Sequence, residues 1–154
     1  MKFVAVSDTH DNLAALADLM DVLKNERFEF LVHAGDVISP FTIREFTKLG
    51  VKCYFAFGNN DGERKLLTKI CEENGWEIGE IVEFPGGVAY HGTDARILKV
   101  LSRLDCIVVC GHTHEARVER EKALIINPGE VCGYLTGRRS FAIVEDGDVS
   151  IVEF

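Results

Sequence analysis

The feature that most constrains the fold of this chain is a series of short polar fragments, each placed at the end of an apolar run. The first, Ser7-Asp8-Thr9-His10, ends a run over residues 2–7. A continuous apolar run of this length is typical of a β-strand that is buried on both faces. The pattern predicts strands whose ends carry polar side chains. Four similar fragments follow further along the chain: Gly35-Asp36, Gly58-Asn59-Asn60-Asp61, His91-Gly92 and Gly111-His112-Thr113-His114.

Helical patterns separate the predicted strands, two more of which cover residues 30–34 and 51–57. Asp11 or Asn12 can cap a first helix, in which apolar residues recur every three or four positions. Pro40 is tolerated in a first helical turn and begins a second helix, which ends at Gly50. A third helix is predicted to run from Gly62 to Asn74. The residues expected to face the core are Leu13, Leu16, Ala17, Met20 and Leu23 in the first helix, and Leu66, Leu67, Ile70 and Cys71 in the third.

The second half of the chain is richer in strands. Residues 76–90 predict short strands with a turn at Pro85-Gly86-Gly87, and a helix capped by Thr93 or Asp94 follows. Units of strand and helix followed by strands predict an α/β fold in which two sheets pack face to face with helices outside. At 154 residues, the chain is expected to form a single domain spanning 1–154. The remaining predicted strands lie at 106–110, 116–120, 124–126, 141–144 and 149–152, with a hairpin turn at Asp146-Gly147.

Charge and hydropathy exclude several classes of partner. The net charge of −8 opposes tight binding to a nucleic-acid polymer, because lysine and arginine must replace the counterions of many phosphates. Bound cations can reverse this charge locally, so a small phosphorylated substrate is compatible with it. The apolar runs are far shorter than the roughly 20 residues of a membrane helix, and no signal peptide is recognisable. We therefore expect a cytoplasmic protein without membrane contact. Cys106 and Cys110 lie in one apolar run, which is typical of buried thiols and disfavours a structural zinc site or a disulfide.

The polar fragments contain side chains that bind divalent cations. In an open α/β sheet, ligands bind beyond the carboxyl ends of the strands, so we expect these fragments to converge. Imidazole nitrogens suit Zn, Fe, Ni and Mn, whereas carboxylate and amide oxygens favour harder ions such as Mn. Seven ligands exceed what one ion takes and would suit two ions that share a carboxylate. The candidate ligands are Asp8, His10, Asp36, Asn59, His91, His112 and His114.

The order and spacing of these fragments resemble a known family. The set Asp-x-His, Gly-Asp, Gly-Asn-x-Asp, His-Gly and Gly-His-x-His resembles the calcineurin-like metallophosphoesterase superfamily, and most of all its compact bacterial and archaeal phosphodiesterase branch. Asn127-Pro128-Gly129 resembles a motif of that branch. The resemblance implies a four-layer α/β/β/α sandwich of two mixed sheets flanked by helices. It also implies a dinuclear metal-dependent phosphodiesterase that hydrolyses small phosphodiesters with a metal-activated water or hydroxide and without a covalent intermediate.

The resemblance further implies a role for each ligand. Two divalent ions are expected, Mn²⁺ first, with Ni²⁺, Fe²⁺ and Zn²⁺ as alternatives. Asp36 would bridge both ions, because it is the carboxylate that the family shares between them. The remaining ligands would divide into Asp8, His10 and His114 for one ion, and Asn59, His91 and His112 for the other. The residues implied to be catalytic are Asp36, Asn59, Asn60 and His91.

Two positions depart from the family pattern. Asn60 stands where many members have a histidine that protonates the leaving group. An amide donates hydrogen bonds but transfers no proton at neutral pH. Thr93 stands where members of the compact branch often have another histidine. We therefore expect an active but slow hydrolase that favours good leaving groups.

Two other functions stay open. One is a non-catalytic protein-interaction scaffold on the same fold, as in a retromer subunit, and the other is a phosphomonoesterase of the superfamily. A homo-oligomer also remains compatible with the sequence. Outside the ligand set, we expect His33 to be structural or to support a ligand, Asp61 to support a ligand or cap a helix, and Arg64, Glu130 and Arg138 to lie at the surface or line the pocket.

Overall fold

The computed structural model describes Met1–Phe154 as eleven strands and four α-helices, with one 3₁₀ helix. The first half contains β1 (Lys2–Val6), α1 (Leu13–Leu23), β2 (Phe30–His33), α2 (Pro40–Glu45), the 3₁₀ helix (Phe46–Leu49), β3 (Lys52–Ala56) and α3 (Arg64–Glu73). The second half contains β4 (Glu77–Gly79), β5 (Ile81–Phe84), β6 (Gly87–Tyr90), α4 (Ala95–Leu101), β7 (Ile107–Val109), β8 (Arg117–Arg120), β9 (Leu124–Asn127), β10 (Ser140–Glu145) and β11 (Asp148–Glu153). The predicted elements are present in the predicted order.

The first sheet has the strand order β11-β10-β1-β2-β3-β4. Its central strands β1, β2 and β3 are parallel, with Val6 opposite His33 and His33 opposite Phe55. Parallel strands in this register end at the same edge of the sheet. The segments that follow them, including Ser7-Asp8-Thr9-His10 and Gly35-Asp36, therefore meet at that edge.

The second sheet has the order β5-β6-β7-β9-β8. Its strands β6, β7 and β9 are parallel, with Ala89 opposite Val109 and Val109 opposite Ile126. The antiparallel strands β10, β11, β5 and β8 make both sheets mixed. The carboxyl ends of β6, β7 and β9 bring together the segments that begin at His91, Cys110 and Pro128.

Three apolar clusters separate four layers. The alternate faces of β1 show the division, because Val4 and Val6 pack with α1, α2 and α3, whereas Phe3 and Ala5 pack with the second sheet. The outer face of the second sheet packs against Leu101 of α4. The α/β/β/α sandwich is thus confirmed. None of the helices combines the length and the apolar character that crossing a membrane would require.

Helices α1 and α4 begin at caps that the sequence predicted, whereas the buried face of α1 differs from the prediction. The side chain of Asn12, rather than that of Asp11, accepts a hydrogen bond from Ala15 N at 3.1 Å, and Asp94 caps α4. The predicted core face of α1 was partly wrong, because Leu13 is 49% exposed. The predicted burial of Ala17 and Leu66 was also wrong, since both side chains are exposed. The residues of α1 that face the core are Ala15, Leu16, Leu19 and Leu23.

Candidate metal centre

All seven predicted ligands meet where the carboxyl ends of the two sheets face each other. The first group consists of Asp8, His10 and His114. Asp8 Oδ1 lies 3.3 Å from His114 Nε2 and 3.5 Å from His10 Nε2. The two imidazole rings are 5.1 Å apart. Three donor atoms from the segments that follow β1 and β7 therefore surround one small space.

The second group consists of Asn59, His91 and His112. Asn59 Oδ1 lies 3.1 Å from both His91 Nε2 and His112 Nδ1. His91 Nδ1 contacts the Ala34 carbonyl oxygen at 2.7 Å, and because a carbonyl only accepts, this nitrogen donates. In the neutral ring, Nε2 then carries a lone pair that points toward Asn59 Oδ1.

Asp36 lies between the two groups. Its Oδ2 atom is 3.2 Å from His10 Nε2 and 3.3 Å from His91 Nε2. Its two oxygens also accept hydrogen bonds from the backbone nitrogen and the side-chain amide of Asn60, at 2.9 and 2.8 Å. One carboxylate thus contacts a member of each group.

Several donor atoms in this centre are arranged as ligands of a cation would be. Asp8 Oδ1 and His10 Nε2 are buried and have no hydrogen-bond partner. Buried polar atoms are normally paired, so each atom without a partner needs an explanation. The Nε2 lone pair of His91 likewise faces two oxygen acceptors, Asn59 Oδ1 and Asp36 Oδ2. A divalent cation between such atoms removes the mismatch, and the mixed nitrogen and oxygen set suits Mn, Fe, Ni or Zn.

The electrostatic environment keeps both buried carboxylates ionised. Burial raises the pKa of the Asp36 carboxyl, but the nearby imidazoles of His10 and His91 and the hydrogen bonds from Asn60 outweigh it, so the pKa lies well below its ordinary value. Burial also raises the pKa of Asp8, and contacts with His10 and Ser7 and the charge of His91 bring it below the ordinary value. Two anionic carboxylates in a buried site favour bound cations.

The backbone at the centre is strained. The φ angle is positive at five of the seven predicted ligands: Asp8 (54°), His10 (44°), Asp36 (59°), His112 (71°) and His114 (63°). Side-chain-bearing residues rarely adopt this region, and such outliers cluster at functional sites where the surrounding structure holds them. The strain is consistent with side chains that are aimed at a shared target.

Two glycines explain why the motifs contain glycine next to a ligand. A Cβ atom at Gly58 would lie 2.1 Å from Asp36 Oδ1, and one at Gly111 would lie 1.9 Å from Ser7 Oγ and 2.6 Å from Asp8 Oδ2. Real Cβ atoms essentially never come within 3.0 Å of another heavy atom. Each glycine therefore lets a backbone segment pass directly against the carboxylate of a predicted ligand.

Other predicted residues support these segments. Asp61 accepts backbone hydrogen bonds from Asp36, Ile38 and Gly58 at 3.0, 2.7 and 2.7 Å, so it supports a ligand and does not cap α3. His33 is fully buried, with Nδ1 accepting from Gly35 N and Nε2 2.8 Å from Thr9 Oγ1. Because Nδ1 accepts, Nε2 donates to Thr9, and burial lowers the pKa of His33 to about 3. His33 thus holds the first two polar fragments together as a neutral ring.

The Asn-Pro-Gly motif holds the last fragment. Asn127 Nδ2 donates to the Gly111 carbonyl oxygen and to Thr113 Oγ1, both at 3.0 Å. His112 N in turn donates to Asp8 Oδ2 at 3.1 Å. The amide of Asn127 therefore connects the end of β9 to the segment that carries two of the predicted ligands.

The prediction that Glu130 lies at the surface or lines the pocket was wrong. This residue is fully buried and contacts His114 Nδ1. The feature of the sequence that could have placed Glu130 at the site is its position directly after Asn127-Pro128-Gly129. Sequence reasoning also missed Tyr134, which is 60% exposed and whose ring lies 6.4 Å from that of His10.

A cleft of about 340 Å³ opens beside His114 and is lined by Glu115, Thr136 and Arg138, among others. Its size suits a small molecule. Arg138 therefore lines the cleft, which is one of the two positions predicted for it, the other being the open surface. Arg64 instead donates to the backbone carbonyl oxygens of Gly58 and Asp61, at 3.2 and 3.0 Å, and so supports the segment that carries Asn59. Thr93 is exposed.

Comparisons with known proteins relate the whole chain to phosphoesterases. The sequence model of the calcineurin-like phosphoesterase superfamily domain matches residues 1–148. The chain is 37% identical over 158 residues to phosphodiesterase MJ0936 of Methanocaldococcus jannaschii, a match that covers 94% of this chain and 93% of that protein.

Two solved structures share the fold. A novel archaeal phosphodiesterase superposes with a TM-score of 0.91 at 33% identity, with 100% of each chain covered. Wild-type Vps29 of Entamoeba histolytica, solved in complex with Zn²⁺, superposes with a TM-score of 0.70 at 19% identity, covering 100% of this chain and 98% of that one. At this low identity the second match shows the fold alone.

Proposed function

Because the chain belongs to the calcineurin-like phosphoesterase superfamily, we propose that it is a metal-dependent phosphodiesterase that hydrolyses small phosphodiesters. The proposal depends on one observation. Seven donor side chains face one another in two groups that share Asp36, and buried donor atoms of Asp8 and His10 have no partner. Such an arrangement suits two cations, as in two-metal hydrolases.

The donor groups suggest which residues would hold each ion. Asp8, His10 and His114 would hold one, and Asn59, His91 and His112 the other, with Asp36 shared. We propose Mn²⁺ as the ion, with Ni²⁺, Fe²⁺ or Zn²⁺ as alternatives, because the set combines imidazole with oxygen donors. When bound, the ions would supply Lewis acidity that activates water and neutralises charge on the phosphoryl group.

The side chains themselves favour direct hydrolysis. Ser7, Thr9 and Cys132 are all buried, and the Ser7 hydroxyl is occupied by Asp8 Oδ2 at 2.6 Å. The Thr9 hydroxyl is likewise paired with His33 Nε2, and the Cys132 thiol donates to Glu130, so none of the three is a free nucleophile. Attack by water without a covalent enzyme intermediate therefore fits these side chains best. Asn60 donates to Asp36 and orients that carboxylate, but its amide provides no proton for a leaving group. We therefore propose a preference for esters with good leaving groups.

The substrate class follows from the shape and charge of the site. The cleft beside His114 suits a small molecule, and its lining includes one cationic side chain, Arg138, which lies 3.8 Å from the Glu153 carboxylate. The net charge of −8 opposes a long polynucleotide. All five cysteines are free thiols, as is typical of a reducing compartment, so we propose a cytoplasmic location.

The direct test is an esterase assay with metal-stripped protein. Bis(p-nitrophenyl) phosphate and p-nitrophenyl phosphate are offered with Mn²⁺, Ni²⁺, Mg²⁺ or EDTA. We expect diester turnover that requires metal and is lost in Asp36→Asn but kept in Asp148→Asn, an exposed aspartate at the start of β11. Absence of metal-dependent turnover of either ester would refute the enzyme proposal. Faster turnover of the monoester would favour the phosphomonoesterase alternative.

The scaffold alternative predicts a different result. The likeness to Vps29 concerns the fold, and a protein-binding scaffold requires no set of seven facing donors. If the chain served only as a scaffold, metal-loaded protein would turn over neither ester. Wild-type protein and Asp36→Asn would then be indistinguishable in the assay.

A further inference from the structure

Glu130 is a buried acid that makes more hydrogen bonds than packing alone would require. Its side chain is fully buried, and its only ion-pair partner is His114. A buried carboxylate is costly unless hydrogen bonds satisfy its oxygens. Here they are satisfied by donors on several sides: His114 Nδ1, Cys132 Sγ, Leu135 N, Thr136 N and Thr136 Oγ1.

These contacts divide between the two oxygens. Oε1 accepts from Thr136 N at 2.7 Å, Thr136 Oγ1 at 2.8 Å and Leu135 N at 3.1 Å. Oε2 contacts His114 Nδ1 and accepts from Cys132 Sγ at 3.1 Å, and Leu135 N also reaches it at 3.3 Å. Because every other partner donates, the carboxylate acts purely as an acceptor, and His114 Nδ1 carries the proton of this hydrogen bond.

The tautomer of His114 has a consequence on the opposite side of the ring. With its proton on Nδ1, the neutral ring keeps a lone pair on Nε2, which lies 3.3 Å from the unpartnered Asp8 Oδ1. That is the side of the predicted first ion. If the proton sat on Nε2 instead, it would occupy the space that a cation needs.

We propose that Glu130 is a positioning residue that holds His114 in the tautomer and orientation required to bind a cation. The inference rests on the proposed function only through its premise that Asp8, His10 and His114 bind a divalent ion. Carboxylates that accept from the second nitrogen of a ligating histidine typically change metal affinity by about 10- to 100-fold when they are removed.

The same carboxylate also fixes the loop that follows it. The hydrogen bonds from Leu135 N and Thr136 N hold the turn between Gly133 and Gly137, which carries Tyr134 beside His10. Glu130 therefore joins the loop that borders the cleft to one ligand of the predicted first ion.

The substitution Glu130→Gln tests the idea sharply. A glutamine that keeps its oxygen toward the three donors of Leu135 and Thr136 must turn its amide NH₂ toward His114 Nδ1. Two donors then face each other unless the His114 proton moves to Nε2. We expect Mn²⁺ binding to the metal-free protein, measured by isothermal titration calorimetry, to weaken by about 10- to 100-fold.

A matched control and a double substitution separate this role from simple stability. Glu121→Gln removes an exposed carboxylate in the turn between β8 and β9, away from the predicted ligands, and should leave Mn²⁺ affinity within about twofold of wild type. In a His114→Ala background, adding Glu130→Gln should cost no further affinity, since Glu130 acts through His114. Glu130→Gln binding as tightly as wild type, or an undiminished loss in that background, would overturn the proposal.

A spectroscopic measurement on the wild type tests the proposal without depending on whether a variant folds. Two-bond ¹H–¹⁵N correlation spectra of the metal-free protein report which nitrogen of His114 is protonated. We expect the Nδ1–H tautomer, and the Nε2–H tautomer would refute the proposal. Tight Mn²⁺ binding without ester turnover would reject the proposed function but not the role of Glu130. A wild type that binds none of Mn²⁺, Ni²⁺, Fe²⁺ and Zn²⁺ would reject both.

Discussion

Replacing Gly58 by alanine should disable the centre while leaving most of the fold intact. The new Cβ atom would lie 2.1 Å from Asp36 Oδ1 and 2.4 Å from Asp36 N. Since real Cβ atoms essentially never come within 3.0 Å of a heavy atom, Asp36 or the Gly58 segment must move by at least 0.9 Å, the difference between 3.0 and 2.1 Å. The displaced atom belongs to the carboxylate that both ligand groups contact.

The size of the effect follows from this displacement. A misplacement of about 1 Å in a reacting site can reduce the rate by roughly 10²-fold. Overpacking of a tight site typically costs about 1–3 kcal/mol of stability. For a chain of this length each kcal/mol lowers the melting temperature by about 2–4 °C. We therefore expect kcat/KM of Gly58→Ala to fall about 100-fold while the protein still melts cooperatively.

The assay measures Mn²⁺-dependent hydrolysis of bis(p-nitrophenyl) phosphate, and thermal unfolding is followed in EDTA. Gly62→Ala is the matched control, because it lies four residues further along the same segment and a Cβ atom there meets nothing within 4 Å. The reasoning fails if Gly58→Ala stays within about threefold of wild type. It also fails if Gly62→Ala loses as much activity.

Three further predictions concern the leaving group, the loop and pH. Asn60→His should raise kcat for an alkyl diester more than for an aryl diester, within a ceiling of about 10²–10⁴-fold, since imidazole can donate a proton; equal changes for both esters would contradict it. Tyr134→Ala should raise KM for an aryl diester about fivefold with little change in kcat, because an aromatic contact beside His10 contributes about 1 kcal/mol; an unchanged KM would argue against this contact. Burial lowers the pKa of His33 to about 3, so the unfolded chain binds more protons below its ordinary pKa and stability falls with acidification. Between pH 7 and 5 the free energy of unfolding, measured by urea titration of metal-free protein, should fall by about 2 kcal/mol more in wild type than in His33→Gln; parallel curves would exclude that role for His33.

Local sequence determined the elements and the set of candidate ligands. Each polar fragment follows an apolar run, and the parallel register of β1, β2 and β3 places the fragments after β1 and β2 at one edge. Strand ends are readable because burial on both faces demands continuous apolar residues. The identity of the seven donors was therefore available before any contact was known.

Only the tertiary structure decided what surrounds those donors. Glu130 lies 16 residues from His114 in the chain, and no local pattern indicates that its carboxylate contacts His114 Nδ1. The same holds for Gly58, whose proximity to Asp36 arises because two parallel strands end side by side. The exposure of Leu13 also depends on how α1 rotates against its sheet. Residue type and spacing limit which side chains can bind an ion, but the atoms that orient them are brought near by packing between segments distant in the chain.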